Sequence, residues 1–182
     1  MLDSLSAAPF LAARGGGALL DLGSGGGFPG LPLAAALGDG ALLVEAVAKK
    51  ARFLATVVDA TGLAGRVAVA ASRAEAVAAD AGHRGRWPVV TARAVGPLAD
   101  LVELAFPLLA PGGRLVAWKR GDIAAELAAA RRAVAGLGGG DVHVRGADLP
   151  GLEGHLLVFA ERRGAVPEGF PRDPAVRARQ PW

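Results

Sequence analysis

Five glycines and two carboxylates carry most of the chemistry that this sequence announces. An apolar run at Ala18, Leu19 and Leu20 reaches Asp21, breaks at Gly23, Gly25, Gly26, Gly27 and Gly30, and resumes as the Ala-rich residues 31–37. The order is strand, glycine loop, helix. Glycine tolerates positive φ and lets the backbone approach a ligand, and the helix start that follows offers free amide donors. Such a loop is a nucleotide cradle. Phe28 stands where a dinucleotide fingerprint wants its third glycine, and no Gly-x-x-x-x-Gly-Lys-Ser/Thr phosphate loop occurs anywhere in the chain. The spacing Gly23-x-Gly25-x-Gly27 after Asp21, with Ser24 inside it, suits S-adenosylmethionine (AdoMet) better. The plain alternative is a glycine-rich turn in a chain with 27 glycines.

The second carboxylate is Glu45, 22 residues after Gly23, where an acid takes the ribose hydroxyls of a nucleoside. One carboxylate accepts from both hydroxyls. Arg73 and Glu75 follow the third apolar run, where backbone amides can meet an adenine edge, although a solvated helix start suits their side chains equally. Arg93 lies between Val90 and Val95, and Lys119 follows Trp118. Each sets a cation at a cleft mouth, or is ordinary surface charge. The three histidines, His83, His143 and His155, fall at no strand end expected to line the cleft, so no general base is nominated. Without cysteine there is no disulfide, thiol nucleophile or thiolate metal site, and no metal is expected.

The elements that must position these groups alternate along the chain. Strands are expected at 18–21, 41–45, 67–71, 89–92 and 114–118, the second reading as a fully buried parallel strand because it is continuously apolar up to Glu45. Helices are expected at 31–37, 49–62, 74–81, 97–109 and 123–137, the fourth opened by Pro97 and the last capped by Asp122. Pro111, Gly112 and Gly113 form a turn between the fourth helix and the fifth strand. Two late strands, 142–145 and 155–160, have no helix between them and imply a hairpin. Residues 2–13 read as a short helical segment interrupted by Pro9. The expectation is an α/β fold: a mostly parallel seven-stranded sheet, helices on both faces and an antiparallel strand near one edge. Ligands bind such sheets outside the carboxyl ends of the strands, so the glycine loop, Glu45, residues 72–75, Arg93 and Lys119 converge on one cleft.

The 182 residues suffice for one domain, divided as an N-terminal helical remnant (1–17), a Rossmann-like core (18–163) and a basic C-terminal tail (164–182). No apolar stretch approaches the ~20 residues that cross a bilayer, and the N-terminus lacks a secretory pattern, so a cytoplasmic protein without a membrane partner is expected. A net charge of +3 and arginines at 162, 163, 172, 177 and 179 favour a polyanionic partner. Arginine richness is weak evidence by itself, since only Lys49, Lys50 and Lys119 are lysines, and a solvated basic tail explains it equally well.

Eight stretches together carry a resemblance. Leu-Asp-Ser-Leu (2–5), Asp-Leu-Gly-Ser-Gly-Gly-Gly-Phe-Pro-Gly-Leu-Pro-Leu (21–33), Val-Glu (44–45), Lys-Lys-Ala-Arg-Phe-Leu (49–54), Arg-Ala-Glu (73–75), Thr-Ala-Arg-Ala-Val (91–95), Trp-Lys-Arg-Gly (118–121) and Phe-Pro-Arg (170–172) resemble the RsmG family, also called glucose-inhibited division protein B. The resemblance implies a Rossmann-like class I methyltransferase that uses AdoMet to methylate guanine N7 in 16S ribosomal RNA; 16S rRNA or the small subunit is the expected partner, and a monomer is expected. It implies AdoMet contacts at Gly23, Phe28, Glu45, Ala74, Glu75 and Arg93, with Lys119 facing the RNA, and the glycine loop adds Ser24, Gly25 and Gly27 as expected cofactor contacts. It also implies a helical segment ahead of residues 2–5, which this chain is expected to lack. Lys119-Arg120-Gly121 departs from the family's Lys-Gly, and the tail after Arg172 departs from its usual run. A small-molecule AdoMet methyltransferase and a non-catalytic AdoMet- or RNA-binding domain are the other readings.

Overall fold

A computed structural model describes residues 2–13, 17–147 and 149–182; residues 1 and 14–16 of the expected N-terminal remnant and residue 148 of the late loop lie outside them. Seven strands form one sheet: β1 (Leu19–Leu22), β2 (Ala41–Val44), β3 (Val67–Ala70), β4 (Trp87–Arg93), β5 (Leu109–Arg120), β6 (Gly139–Gly146) and β7 (His155–Arg162). Their order is β3-β2-β1-β4-β5-β7-β6. β7 runs antiparallel to both β5 and β6, and every other pairing is parallel. The antiparallel strand expected near an edge is therefore the penultimate one, because the β6–β7 hairpin folds back to insert β7 beside β5.

Strand alternation sorts the core into two layers. Leu20, Leu22, Val90, Ala92, Leu115 and Ala117 face α6 (Leu98–Ala105) and α7 (Ala124–Gly136). Leu19, Leu43, Val116 and Trp118 face α3 (Gly30–Leu37), α4 (Ala48–Ala60) and the N-terminal helices α1 (Leu2–Leu5) and α2 (Ala8–Ala12). The short α5 (Ala74–Ala79) follows β3. All five strand–helix repeats are present.

The boundaries differ from expectation in places with clear causes. Pro9 does not interrupt a helix; it sits in the first turn of α2, where a missing N–H costs nothing, and the break comes before it. The fourth helix ends at Ala105 rather than residue 109, and β5 starts at Leu109. The Pro111-Gly112-Gly113 turn is absorbed into that strand as an irregularity: β4 advances from Trp87 to Val89 while β5 advances from Leu109 to Arg114. The N-cap of α7 is Ile123, not Asp122 as expected, because the helix starts one residue later; Asp122, one position ahead, still accepts the Ala124 N–H at 2.9 Å.

Residues 170–182 end in α8 (Pro174–Arg179) and are tied to the domain. Glu103 on α6 is fully buried and accepts from the Arg172 backbone N–H at 2.7 Å, the Arg172 guanidinium at 2.6 Å and the Trp182 indole N–H at 2.6 Å. Arg177 pairs with Glu75 at 2.5 Å. Two of the arginines expected to offer charge to a polyanion are thus spent on carboxylates of the domain.

Candidate active site

The glycine loop is fixed from beneath by Asp21. Within β1, Asp21 points into the α3/α4 layer and is fully buried. Its register partner on β4, Thr91, donates to Oδ1 at 2.6 Å, and the Gly30 N–H at the start of α3 donates to Oδ2 at 3.3 Å. Burial pushes the Asp21 carboxyl up to about 6, against the opposing pull of the Thr91, Ser24 and Gly30 donors and the Arg93 charge. Gly30 is required here, since a Cβ would stand 2.5 Å from Leu43 Cδ2 and 2.9 Å from Asp21 Oδ2. Ser24 turns inward, its hydroxyl donating to the Asp21 carbonyl at 2.9 Å.

Glu45 clasps the loop from the side. Only 6% exposed at the end of β2, it accepts from the Gly25 N–H at 2.9 Å through Oε2 and from the Val47 N–H at 2.8 Å through Oε1. Each oxygen keeps a lone-pair site for a further donor. Gly23, at φ +64°, packs against Val95; a Cβ there would lie 2.7 Å from Val95 Cγ2. A Cβ added at Gly25 would meet only the Gly23 carbonyl oxygen, at 3.8 Å, so the side of Gly25 turned away from Glu45 is open to a ligand.

The expected residues do not converge on one cleft: some line two separate depressions, and Ser24, Gly25, Gly27, Phe28 and Glu45 line neither. Gly23, Ala74 and Glu75 line a cleft of about 250 Å³ with Val44, Ser72, Arg73 and Val95. Arg93 lines a second, of about 280 Å³, with Asp3, Trp118, Lys119, Arg120 and His155. Phe28, 39% exposed, joins the loop to this second side: the Arg93 guanidinium sits 5.5 Å from its ring centroid. Gly27 closes the loop by donating to the Ser24 carbonyl at 2.7 Å.

Three residues here carry roles that spacing did not reveal. Asp3 accepts from Arg93 at 3.1 Å, bonds His155 Nδ1 at 2.9 Å, and through its carbonyl accepts the Trp118 indole N–H at 2.7 Å, tying α1 across the ends of β4, β5 and β7. In the sequence Asp3 stands only as the acid of Leu-Asp-Ser-Leu (2–5), with nothing beside it to report these partners. His155 corrects the expectation that no histidine lines the cleft: an antiparallel β7 brings its first residue, opposite Arg120, to the edge where the parallel strands end. Ala94, at φ +56°, is the one non-glycine among the described residues with positive φ, a backbone strain that turns the chain from Arg93 toward Val95 and Gly96.

Lys119, expected to face RNA, is 14% exposed and donates to the Gly96 carbonyl at 2.9 Å and to Glu126 at 2.5 Å. The same Glu126 oxygen accepts the Leu98 N–H at 2.9 Å. Lys119 therefore holds the loop after β4 against α7. Arg120, beside it, is exposed. We predict that Lys119→Ala lowers turnover on RNA while leaving the salt dependence of RNA binding unchanged, and that Arg120→Ala reduces the log–log salt slope by about 1, the signature of one lost phosphate contact. Titrations at several salt concentrations separate the two.

Among the described residues no cluster of three or more His, Cys, Asp or Glu could hold a metal, and no helix is long and apolar enough to cross a membrane.

The sheet order, the glycine loop after β1 and the acid after β2 define a class I AdoMet-dependent methyltransferase. Solved structures agree on the fold: a SAM-dependent O-methyltransferase from Thermotoga maritima superposes with TM-score 0.71 at 16% identity, over 91% of this chain and 66% of its own. A geranyl diphosphate methyltransferase in complex with SAM superposes with TM-score 0.60 at 17% identity, over 86% and 85%. The family is narrower. Residues 1–153 match the model of GidB, rRNA small subunit methyltransferase G, and the chain belongs to that family. The ribosomal RNA small subunit methyltransferase G of Dehalococcoides mccartyi is 42% identical over 99% of this chain and 77% of its own length; that of Roseiflexus castenholzii is 43% identical over 90% and 70%.

Proposed function

We propose that this chain, as one domain spanning 1–182, transfers the methyl group of AdoMet to N7 of a guanine in 16S rRNA, working as a cytoplasmic monomer on RNA of the small ribosomal subunit. The observation that carries the reading is Glu45, a buried acid closed onto the Gly25 amide in a chain of the rRNA methyltransferase G family.

The residues present fit AdoMet. The open face at Gly25 and the free lone pairs of Glu45 suit the ribose, and the cleft from Gly23 to Ala74 and Glu75 suits the adenine. When bound, AdoMet supplies an electrophilic methyl on a sulfonium. Guanine N7 carries an in-plane lone pair and no proton, so the protein need not remove one. Its task is alignment, holding the base so that the lone pair meets the methyl in line with sulfur, with the entropy of encounter already lost on binding. Phe28 offers an exposed ring at the cleft rim on which a base can stack, and Arg93, held by Asp3, keeps a cation at that ring. Lys119 fixes the loop that carries Val95 against the glycine loop. His155 is engaged by Asp3 and has no proton to accept from N7.

The test is transfer of labelled methyl from AdoMet to unmodified small subunits and, separately, to naked 16S rRNA, followed by digestion to nucleosides. Label in 7-methylguanosine is the expected result. Label in another nucleoside overturns the N7 assignment, and transfer only to a metabolite overturns the RNA substrate.

A further inference from the structure

The match to the family model ends at residue 153, yet the cleft it encloses is not completed within those residues. Arg177 of α8 lines the same cleft as Gly23, Ala74 and Glu75. Its Nη2 lies 2.5 Å from Glu75 Oε1, and its Nη1 donates to the Arg172 carbonyl at 2.8 Å. The pair is sheltered, with side chains 10% and 25% exposed. The segment that brings Arg177 there is held at both ends on one point: Arg172 and Trp182 both donate to the buried Glu103, and Asp173 caps α8 through the Ala175 N–H at 2.8 Å. Arg172 also donates to the Gln180 carbonyl at 3.0 Å, closing the segment on itself. A flexible basic tail would show none of this.

We infer that the C-terminal segment is a structural wall of the nucleoside cleft and that Arg177 is a positioning residue, fixing the Glu75 carboxylate as the acceptor for an exocyclic amino group of the bound base. The inference rests on the reading of the cleft as an AdoMet site and adds to it the origin of base selectivity. A carboxylate at a helix start has several rotamers open to it; one oxygen engaged by a guanidinium leaves the other in a fixed place. A 6-amino purine can donate to that oxygen. A 6-oxo purine presents an acceptor to it and is repelled. Selection for adenosine over inosine is therefore a property of the Glu75–Arg177 pair, not of Glu75 alone.

Calorimetric titration of the full chain with S-adenosylhomocysteine and with S-inosylhomocysteine tests this. The wild type is expected to prefer the adenosyl ligand by roughly tenfold or more, the scale of one hydrogen bond to a charged group. Arg177→Ala is expected to lose most of that preference, and Arg177→Lys to restore part of it. Arg179→Ala, exposed on the same helix, is expected to leave it unchanged. In a Glu75→Ala background, adding Arg177→Ala should cost nothing further in affinity or preference. This second comparison separates positioning from a general loosening of α8, which would weaken both ligands in either background. Full preference in a folded Arg177→Ala protein overturns the inference while adenosyl binding stands. Failure of the wild type to bind either ligand overturns the cofactor reading, and this inference with it.

Discussion

Replacing Arg172 with Ala is expected to lower the free energy of unfolding by about 3–5 kcal/mol at pH 7, because it strands a carboxylate that has no access to water. Glu103 is fully buried on α6, and Arg172 supplies three donors to it: the backbone N–H, Nε and Nη2. The guanidinium also lies 5.0 Å from the Trp182 ring centroid and 5.6 Å from that of Phe170. Truncation leaves the backbone donor and the indole N–H, which are not enough to hold a buried charge. In a chain of this size the loss corresponds to a fall in melting temperature of about 6–20 °C. Arg179→Ala, which removes an equal charge from an exposed site, should stay within about 0.5 kcal/mol.

The pH dependence identifies the cause. Burial alone would raise the Glu103 carboxyl, but the Arg172 donors, the Trp182 indole and the Arg172 charge outweigh it and hold the group below its ordinary value of 4.5. Its contribution is therefore complete above that ordinary value and is lost as pH falls through the lower, folded one. In the Arg172→Ala protein the balance reverses, burial prevails, and the folded state takes up a proton more readily than the unfolded chain. The gap between wild type and variant should then narrow as pH falls toward 4–5. Denaturant unfolding across that range checks it, and a gap independent of pH would mean that lost packing, not a stranded charge, is responsible.

The contrast between Glu103 and the glycine loop explains which features the sequence reveals. A parallel strand buried on both faces must be apolar throughout, so 41–44 is visible as a run, and the acid at its end, Glu45, stands out against it; 67–70 is equally apolar although it is the edge strand, with Val67 buried and Ala68 exposed. The loop is visible because positive φ at Gly23, Gly25 and Gly27 strongly favours glycine. These are local demands, and local demands leave a pattern. Glu103 has no such pattern. On α6 it is spaced like a solvated residue, and its partners stand 69 and 79 residues away. Arg177 and Glu75 are 102 apart, and nothing near either one reports the other.

Lys119 shows the same limit from another side. A cation at the end of a strand reads as a cleft-mouth charge until α7 is seen to bring Glu126 to it. His155 opens a strand, and although the hairpin is legible, the pairing that sets it opposite Arg120 at the cleft is not. The class of fold and the cofactor loop are thus readable from one residue and its neighbours. The walls of the site, Asp3, His155 and Arg177, come from segments far apart in the chain, and packing alone joins them.

Glu45→Ala is expected to weaken binding of S-adenosylhomocysteine by about 100-fold, the largest effect of any single change at the loop. Two ribose hydroxyls donating to a carboxylate are worth about 1.5 kcal/mol or more each, and both are lost together. The substitution also leaves the Gly25 and Val47 N–H groups without their acceptor, so the loop is no longer held in the shape that receives the ligand. Glu45→Gln discriminates between these contributions. Its amide has one oxygen and one NH₂ group, so either Gly25 or Val47 must face a donor, and the ribose loses half of its acceptors. Glutamine should therefore recover only part of the affinity despite its matching size. Glu45→Asp is a methylene shorter and should fail to reach both amides at once. Calorimetry gives the affinities, and thermal unfolding shows whether the domain is intact; Glu45 lies at a strand end outside both apolar layers, so the change in stability should be modest. An unchanged dissociation constant in a folded Glu45→Ala protein would remove the acid from the ribose site and leave it a brace for the loop.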